Sequence, residues 1–188
     1  AQPYPFTLSP HGFQWLSLEP IEDAGSMQPI RSRDGAEGYE AGRLELDGRW
    51  TEALGTVRGA PLEEVLPDWL VRRRWFAGKA RALKGTTILD APPLGEDEGS
   101  APRLALVQVT YRGGEPETYF VPLAFAEGAR AGRVQSEQPE AVVADVRFRE
   151  AEREGVIYDP SAEPAFGRRL LEAIGRSRSY RSEGGTVA

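Results

Sequence analysis

Residues 72–81, with the sequence RRRWFAGKAR, concentrate cations, aromatic rings and a glycine in one short segment, called the basic segment below. A Gly-Lys pair in such a segment suggests a phosphate-binding loop, in which backbone amides and a lysine hold the phosphate oxygens. That loop has the pattern G-x-x-x-x-G-K-[ST], and only Gly78 and Lys79 fit it here because Ala80 follows. The basic segment by itself therefore does not predict a nucleotide site.

The other residue types that support catalysis or metal binding are scattered. The only histidine is His11, in a Ser-Pro-His-Gly turn, and the chain has no cysteine. Zinc sites depend mainly on thiolates and imidazoles, so a zinc site is not expected. Asp145 and Asp159 each follow an apolar segment, a position that suits a catalytic carboxylate as readily as a strand end or a cap. Carboxylate runs such as residues 96–98 are typical of solvated surfaces, and none of them singles out a glycosidase pair.

A helix is predicted immediately before the basic segment. Apolar residues recur between Leu62 and Leu70 with the spacing of one helix face. Pro67 interrupts this pattern, which predicts either a turn before a second helix or a kink. The arginines that follow would meet the negative end of the helix dipole. Trp75 and Phe76 are expected to turn inward as packing anchors.

Much of the remaining chain shows the period of two that is typical of strands. Strands are predicted at residues 86–90, 103–111, 117–125, 141–148 and 155–159. Asp47-Gly48 lies between alternating segments and predicts a two-residue hairpin within residues 43–54. Strands joined by tight turns predict an α+β fold, in which an antiparallel sheet carries its one or two helices on one side.

A second helix is predicted at residues 162–174, with Ser161 as its cap. The residues expected on its apolar face are Phe166, Leu170, Leu171 and Ile174. The closing residues, 180–188, are interpreted as a final hairpin whose return strand is cut off.

The composition narrows the function classes. The 188 residues are 40% apolar and 28% charged, which is typical of a soluble globular protein. The net charge of −6 argues against nucleic acid as the main partner, because such binding depends on neutralising phosphates. No apolar run approaches the roughly 20 residues that span a bilayer, and the N-terminus lacks the pattern of a signal peptide. Since it also lacks an initiator Met, we expect the chain to be part of a longer protein.

Residues 66–81 resemble the signature of the maltokinase N-terminal cap domain. That signature is a Leu-rich helix followed by Arg-Trp-Phe, a small residue, Gly-Lys and a basic residue. The signature positions in this chain are Arg74, Trp75, Phe76, Gly78, Lys79 and Arg81. Tyr119, Pro122 and Leu123 are similar to the family's Tyr-x-x-Pro-Leu segment, and residues 157–174 are similar to a strand and helix of the family.

A second resemblance lies upstream. Residues 3–19 are similar to the last strands of the C-terminal β domain of trehalose synthase, which ends in a Leu-x-Pro-(aromatic or His)-Gly-Phe-x-Trp segment. The corresponding residues are Leu8, Pro10, His11, Gly12, Phe13 and Trp15. The order of the two pieces is that of a trehalose synthase–maltokinase fusion. It implies that residues 1–20 end the preceding domain, 21–40 form a linker, and 41–188 form the cap, cut off before the ATP loop.

The resemblance implies a cytoplasmic parent enzyme with two activities. One half would interconvert maltose and trehalose, and the other would use ATP and Mg²⁺ to phosphorylate maltose to maltose 1-phosphate for α-glucan synthesis. The cap would be a curved sheet in the N-terminal lobe of a kinase-like fold, and the ATP loop and metal ligands would lie downstream. We therefore expect no cofactor, metal or catalytic residue in this chain. Its expected partners are the remaining kinase lobe and the trehalose synthase domain.

Two other interpretations remain open. In a carbohydrate-binding module, two or three coplanar, solvent-facing rings would form a platform for maltodextrin. The candidate rings are Trp50, Tyr111, Tyr119 and Trp75. Burial of Trp69, Trp75 and Phe76 would favour the cap instead. A nucleic-acid binder based on the basic segment is disfavoured by the net charge.

Overall fold

A computed structural model describes residues 41–55, 59–95, 97 and 99–176, together with the backbone of residues 180–181 and 186–187. Six strands in this part of the chain form one curled sheet. In chain order they are β1 Gly42–Leu46, β2 Leu83–Asp90, β3 Arg103–Tyr111, β4 Glu117–Glu127, β5 Val142–Phe148 and β6 Arg153–Tyr158. Across the sheet they lie in the order β1-β5-β6-β4-β3-β2. Two short strands, β7 Tyr180–Arg181 and β8 Thr186–Val187, pair antiparallel with each other.

The described ranges also contain three α-helices, which are α1 Leu62–Leu70, α2 Gly128–Glu137 and α3 Pro164–Gly175. Short 3-10 helices lie at Trp50–Leu54, Ala77–Ala80, Pro139–Ala141 and Pro160–Ala162. The longest of these helices, α3, has 12 residues, whereas a bilayer span needs roughly 20. None of the described helices combines the length and the apolar character needed to cross a membrane.

The predicted α+β class, with a curved sheet and packed helices, is confirmed. The five predicted strands correspond to β2 through β6, and α1 and α3 lie where helices were expected. The predicted terminal hairpin is present as β7 and β8, but its return strand lies within the chain. The sheet is mixed and not purely antiparallel, because β1 pairs with β5 in parallel from Gly42↔Ala144 to Leu46↔Phe148. A parallel pair needs a long crossover, and here the chain between β1 and β5 supplies it.

Helices cover both faces of the sheet, so the prediction of helices on one side is wrong. Val121 of β4 belongs to the core beneath α1, whereas Ala124 and Ala126 of the same strand pack with Ala131 of α2. Side chains alternate between the faces of a strand, and β4 is apolar on both. α2 was not predicted from the sequence, because only Ala131 and Val134 of its residues are buried.

α1 continues through Pro67, so the turn between two helices is not formed. Proline has no amide hydrogen and leaves the carbonyl oxygen four residues earlier, on Glu63, without its helical partner. The Thr86 hydroxyl of β2 donates to that oxygen at 2.7 Å. The Glu63 carboxylate also accepts the Ile88 amide at 2.7 Å. β2 is an edge strand of the sheet, and α1 therefore satisfies polar groups that an edge would otherwise leave open.

Asp47-Gly48 does not form the predicted hairpin. The chain passes from β1 into the 3-10 helix Trp50–Leu54, and Gly48 does not adopt the positive φ that a two-residue hairpin turn requires. The Glu52 carboxylate accepts the backbone amides of Asp47, Gly48 and Arg49 at distances of 2.9 to 3.2 Å. These bonds, above all the one from Arg49, lower the pKa of Glu52.

Ser161 is not the cap of α3. The residue that precedes this helix is Glu163. The Ser161 amide donates at 2.9 Å to the carboxylate of Asp159, which caps the preceding 3-10 helix. Asp159, a candidate catalytic carboxylate in the sequence, therefore stabilises a turn.

The buried face of α3 is narrower than predicted. Phe166 and Ala173 are buried, and Leu170 is partly buried, in a cluster that includes Leu104 of β3. Leu171 and Ile174, which the sequence places on the same apolar face, are 70% and 67% exposed. The helix rests on the sheet along one side of its apolar stripe, and the other side of the stripe is open.

Candidate functional site

The basic segment connects α1 to β2. α1 ends at Leu70, and the 3-10 helix Ala77–Ala80 leads the chain to Leu83, where β2 begins. The arginines at positions 72–74 therefore follow the end of a helix, as predicted. Their charges lie near the negative end of the α1 dipole.

Trp75 and Phe76 face different environments. Phe76 is buried, and its ring centroid lies 4.9 Å from that of Tyr119. Trp75 packs edge-on against Trp69 at 6.0 Å and tilted against Tyr119 at 6.1 Å, but it is 46% exposed. The prediction that both rings turn inward is correct for Phe76 and wrong for Trp75, which lies in a turn closed by the hydrogen bond from the Phe76 amide to the Arg73 carbonyl oxygen. The aromatic cluster, as the term is used below, consists of Trp69, Trp75, Phe76, Tyr111 and Tyr119.

Gly78 is buried where the chain passes over the aromatic cluster. A Cβ atom at this position would overlap the Tyr111 hydroxyl and would lie 2.7 Å from Cζ of Phe76. The φ angle of Gly78 is not in the left-handed region. Glycine is therefore required here by close approach of backbone and rings, and not by an unusual turn conformation.

Arg81 fastens the turn between β3 and β4. Its guanidinium carbon lies 3.5 Å from the centroid of the Tyr111 ring, in the stacked arrangement that arginine forms with aromatic faces. Nη2 donates to the carbonyl oxygens of Glu115 at 2.9 Å and Gly113 at 3.3 Å. Nη1 donates to the Glu117 carboxylate at 2.8 Å. Arg81 thus contacts the turn, one strand and one ring.

Glu117 accepts hydrogen bonds from both tyrosines of the aromatic cluster. One of its carboxylate oxygens accepts the hydroxyls of Tyr111 at 2.7 Å and Tyr119 at 2.5 Å. The bond from Tyr119, then that from Tyr111 and the nearby Arg81, lower the pKa of Glu117. Burial, reinforced by the Glu117 carboxylate, raises the pKa of both tyrosines. The phenols therefore remain protonated donors, and this arrangement orients rings without offering a free acid or base.

Glu117 was not among the residues predicted from the sequence. Its position two residues before Tyr119 on one strand places the two side chains on the same face. The E-x-Y spacing in a predicted strand was the available pattern. The other partners, Arg81 and Tyr111, come from the basic segment and from β3, and only the folded chain brings them to the same carboxylate.

The remaining cations of the basic segment divide into one packed residue and exposed ones. Arg73 lies over the Trp69 ring at 4.9 Å, and its Nη1 donates to the carbonyl oxygen of Glu140. The Trp69 indole donates to the same oxygen at 3.2 Å. Arg74 and Lys79 are exposed. Four of the six signature positions therefore lie in or against the aromatic cluster, and Arg74 and Lys79 lie outside it. The four are Trp75, Phe76, Gly78 and Arg81.

The four rings proposed as a sugar platform do not form one. Trp50 and Tyr111 are buried, with 4% and 6% of their surface exposed. Trp75 is the most exposed of the four, and its plane is tilted by 43° against that of Tyr119. The set therefore lacks the two or three coplanar, solvent-facing rings that stacking against a sugar requires.

Asp145, the other candidate carboxylate, lies in β5 and accepts a hydrogen bond from the side-chain amide of Gln135 at 3.0 Å. It lines an open groove of about 670 Å³ between α2 and strands β1, β5 and β6. Arg147 and Glu154 in this groove are paired at 3.9 Å and largely exposed. Within the described ranges, no three His, Cys, Asp or Glu side chains lie close enough together to hold a metal ion. His11 lies outside the described residues.

A second buried tyrosine joins α2 to the start of α3. Arg130 donates to the Tyr158 hydroxyl at 2.6 Å and to the Glu163 carboxylate at 2.9 Å. The Tyr158 hydroxyl donates to the same carboxylate at 2.8 Å. Burial, then the bond to Glu163, raises the pKa of Tyr158. This trio, like that of Arg81, Tyr111 and Glu117, holds elements together through a protonated phenol.

A known protein family matches the part of the chain that contains most of these contacts. Residues 69–162 match the model of the maltokinase N-terminal cap domain, which is half of the chain. The match begins at Trp69 in α1 and includes the basic segment, β2 through β6 and α2. The resemblance of residues 3–19 to trehalose synthase lies outside this match and outside the described residues. The chain belongs to the maltokinase N-terminal cap domain family.

Proposed function

We propose that this chain is the non-catalytic cap of a maltokinase, an enzyme that transfers the terminal phosphoryl group of ATP to maltose and forms maltose 1-phosphate. The observation that carries this proposal is the match of residues 69–162 to the maltokinase cap domain. In this role the cap completes the N-terminal lobe of the kinase and positions it over the nucleotide.

The contacts around the basic segment support a positioning role. Phosphoryl transfer needs a phosphate cradle, metal ligands and a base in one place. Here Tyr111 fills the space beside Gly78 of the Gly-Lys pair. The Arg81 guanidinium is already bound to Glu117 and to the β3–β4 turn. The part of the chain that the structure describes has no cluster of acidic side chains suited to Mg²⁺. In this proposal the ligands for Mg²⁺ and ATP come from other segments of the parent kinase.

The parent would also contain trehalose synthase. Residues 3–19 resemble the end of that enzyme, and this resemblance supports a position for it directly before the kinase. Such a protein would interconvert trehalose and maltose in one half and phosphorylate the maltose in the other, in the cytoplasm, where ATP is available. The sequences adjoining this chain in the parent test the fusion directly.

Phosphorylation assays test the kinase assignment. We expect the intact parent, incubated with ATP, Mg²⁺ and maltose, to form maltose 1-phosphate, and the 188-residue chain to form none. Gly78→Ala in the parent should lower kcat/KM because it disturbs the aromatic cluster. The matched variant Gly132→Ala, at an open position of α2, should not. Phosphorylation by the chain alone would refute the non-catalytic role, and an intact parent without maltose phosphorylation would refute the assignment.

A further inference from the structure

The exposed side of α3 presents two large apolar side chains beside the charged Arg168, Arg169 and Glu172. Leu171 and Ile174 are three residues apart, which places them next to each other on a helix. They are 70% and 67% exposed, more than any other large apolar residue in the described ranges. The opposite side of the stripe, with Phe166 and Ala173, is buried against the sheet.

The sheet face on which α3 lies also carries an exposed apolar ring. Phe120 of β4 is 49% exposed. Its neighbours Tyr119 and Val121 face the core beneath α1, so Phe120 points to the opposite face, on which α3 lies. Its partner across the strands is Leu106, two residues or roughly 7 Å along β3 from Leu104, which α3 covers.

We propose that this surface, made of Leu106, Phe120, Leu171 and Ile174 and called the α3 surface below, is where the kinase body of the parent docks on the cap. The inference rests on the proposed function, because it takes the chain to be an N-terminal cap with a kinase body after it. Exposed apolar patches of this kind mark contact sites in proteins that are otherwise polar at their surface.

The kinase body fits the α3 surface better than an independent protein does. A body that follows the cap is joined to it through the chain that leaves α3 after Gly175. A tether that is short and flexible raises the effective concentration of two joined bodies to the order of millimolar, so a small patch is enough for such a pair. An independent partner would need an interface of about 1,000 Å² or more. Permanent interfaces are also more apolar than transient ones, which fits the apolar side chains of this surface.

Hydrogen exchange tests this docking. We expect amide exchange in residues 164–175 to be slower in the intact parent than in the 188-residue chain by roughly tenfold or more, because docking suppresses local opening. The double variant Leu171→Lys, Ile174→Lys should return exchange in the parent toward the rate of the chain alone. Lysine suits the last turns of a helix. Since both positions are exposed, the variant should leave the unfolding midpoint of the chain alone unchanged.

Val71→Lys is the matched control, because Val71 is a 39% exposed apolar residue after α1, on the other side of the sheet. It should not change exchange in residues 164–175.

Equal exchange of these residues in chain and parent would overturn the proposal. Self-association of the chain alone that the double variant abolishes would also overturn it, in favour of a second copy. A parent that phosphorylates maltose without protecting α3 refutes only the docking, whereas a parent that does not phosphorylate maltose refutes the proposed function.

Discussion

At Gly78 the space for a side chain is already filled by two aromatic rings. Gly78→Ala should destabilise the chain by about 1–3 kcal/mol, because overpacking forces the Tyr111 and Phe76 rings to move. Gly132→Ala has nothing within 4 Å of the new atom, and alanine in a helix should stabilise it by about 0.4–1 kcal/mol. Urea unfolding of both variants measures the difference. Equal stability of the two variants would show that the cluster does not restrict Gly78.

Glu117 should give the chain a pH-dependent stability. The hydroxyls of Tyr119 and Tyr111 and the Arg81 guanidinium lower the pKa of Glu117 in the folded state. Such a carboxylate stabilises the fold above its unfolded pKa of about 4.3, and this contribution is lost as the pH falls through the folded value. Glu117→Gln should therefore be less stable than the wild type at pH 7, and the gap should narrow below about pH 4.3.

Urea midpoints from pH 7 down to pH 3 measure this gap. Glu115→Gln removes a carboxylate from the neighbouring turn, outside the cluster, and serves as the control. A gap for Glu117→Gln that stays constant across the pH range would contradict the role assigned to its charge.

The role of a single residue could be predicted from the sequence where its type and its position in the pattern allow only one role. The cations at the end of α1 and the inward Phe76 followed from helix spacing and aromatic packing. The exposure of Trp75 did not, because it depends on the path of the chain after α1. Glu117 could not be chosen among the many carboxylates, since its partners lie on three separate elements.

At the scale of elements, Pro67 in α1 and Thr86 in β2 depend on each other. Thr86→Val removes the hydroxyl that satisfies the Glu63 carbonyl and should cost about 1–3 kcal/mol, the usual penalty for an unpaired buried polar group. In a Pro67→Ala background the new amide can bond to that carbonyl. The cost of Thr86→Val should then be smaller by about 1 kcal/mol.

A double-mutant cycle by urea unfolding measures this coupling. Thr86→Ser keeps the hydroxyl and is the matched control. If Thr86→Val costs the same with proline and with alanine at position 67, the hydroxyl does not replace the missing helical bond.

The strands could be predicted well because each is apolar with a period of two and ends near a turn. α2 could not, because it buries two small apolar side chains and shows little periodicity. The Asp47-Gly48 hairpin was wrong for a different reason. The dipeptide permits a turn, but Glu52, a few residues later, holds the same amides in another conformation.

At the scale of the whole molecule, the domain division predicted from the sequence has a thermodynamic consequence. If residues 1–20 belong to a preceding domain and 21–40 to a linker, the cap does not need them to fold. Deletion of residues 1–40 should leave the unfolding free energy within about 0.5 kcal/mol, the range of neutral surface changes. Deletion of residues 1–48 also removes β1 and is the contrasting variant, which should be strongly destabilised. A large loss on removing residues 1–40 alone would contradict the division.

The parallel pair of β1 and β5 affects the order in which the domain can form during synthesis. β1 leaves the ribosome first, but its partner follows only after β2, β3, β4 and the helices α1 and α2 have been made. At typical elongation rates this is a wait on the order of ten seconds. The β2–β3–β4 meander has only local pairings, which form early. The first strand of the domain can therefore join the sheet only after most of the other strands have been made.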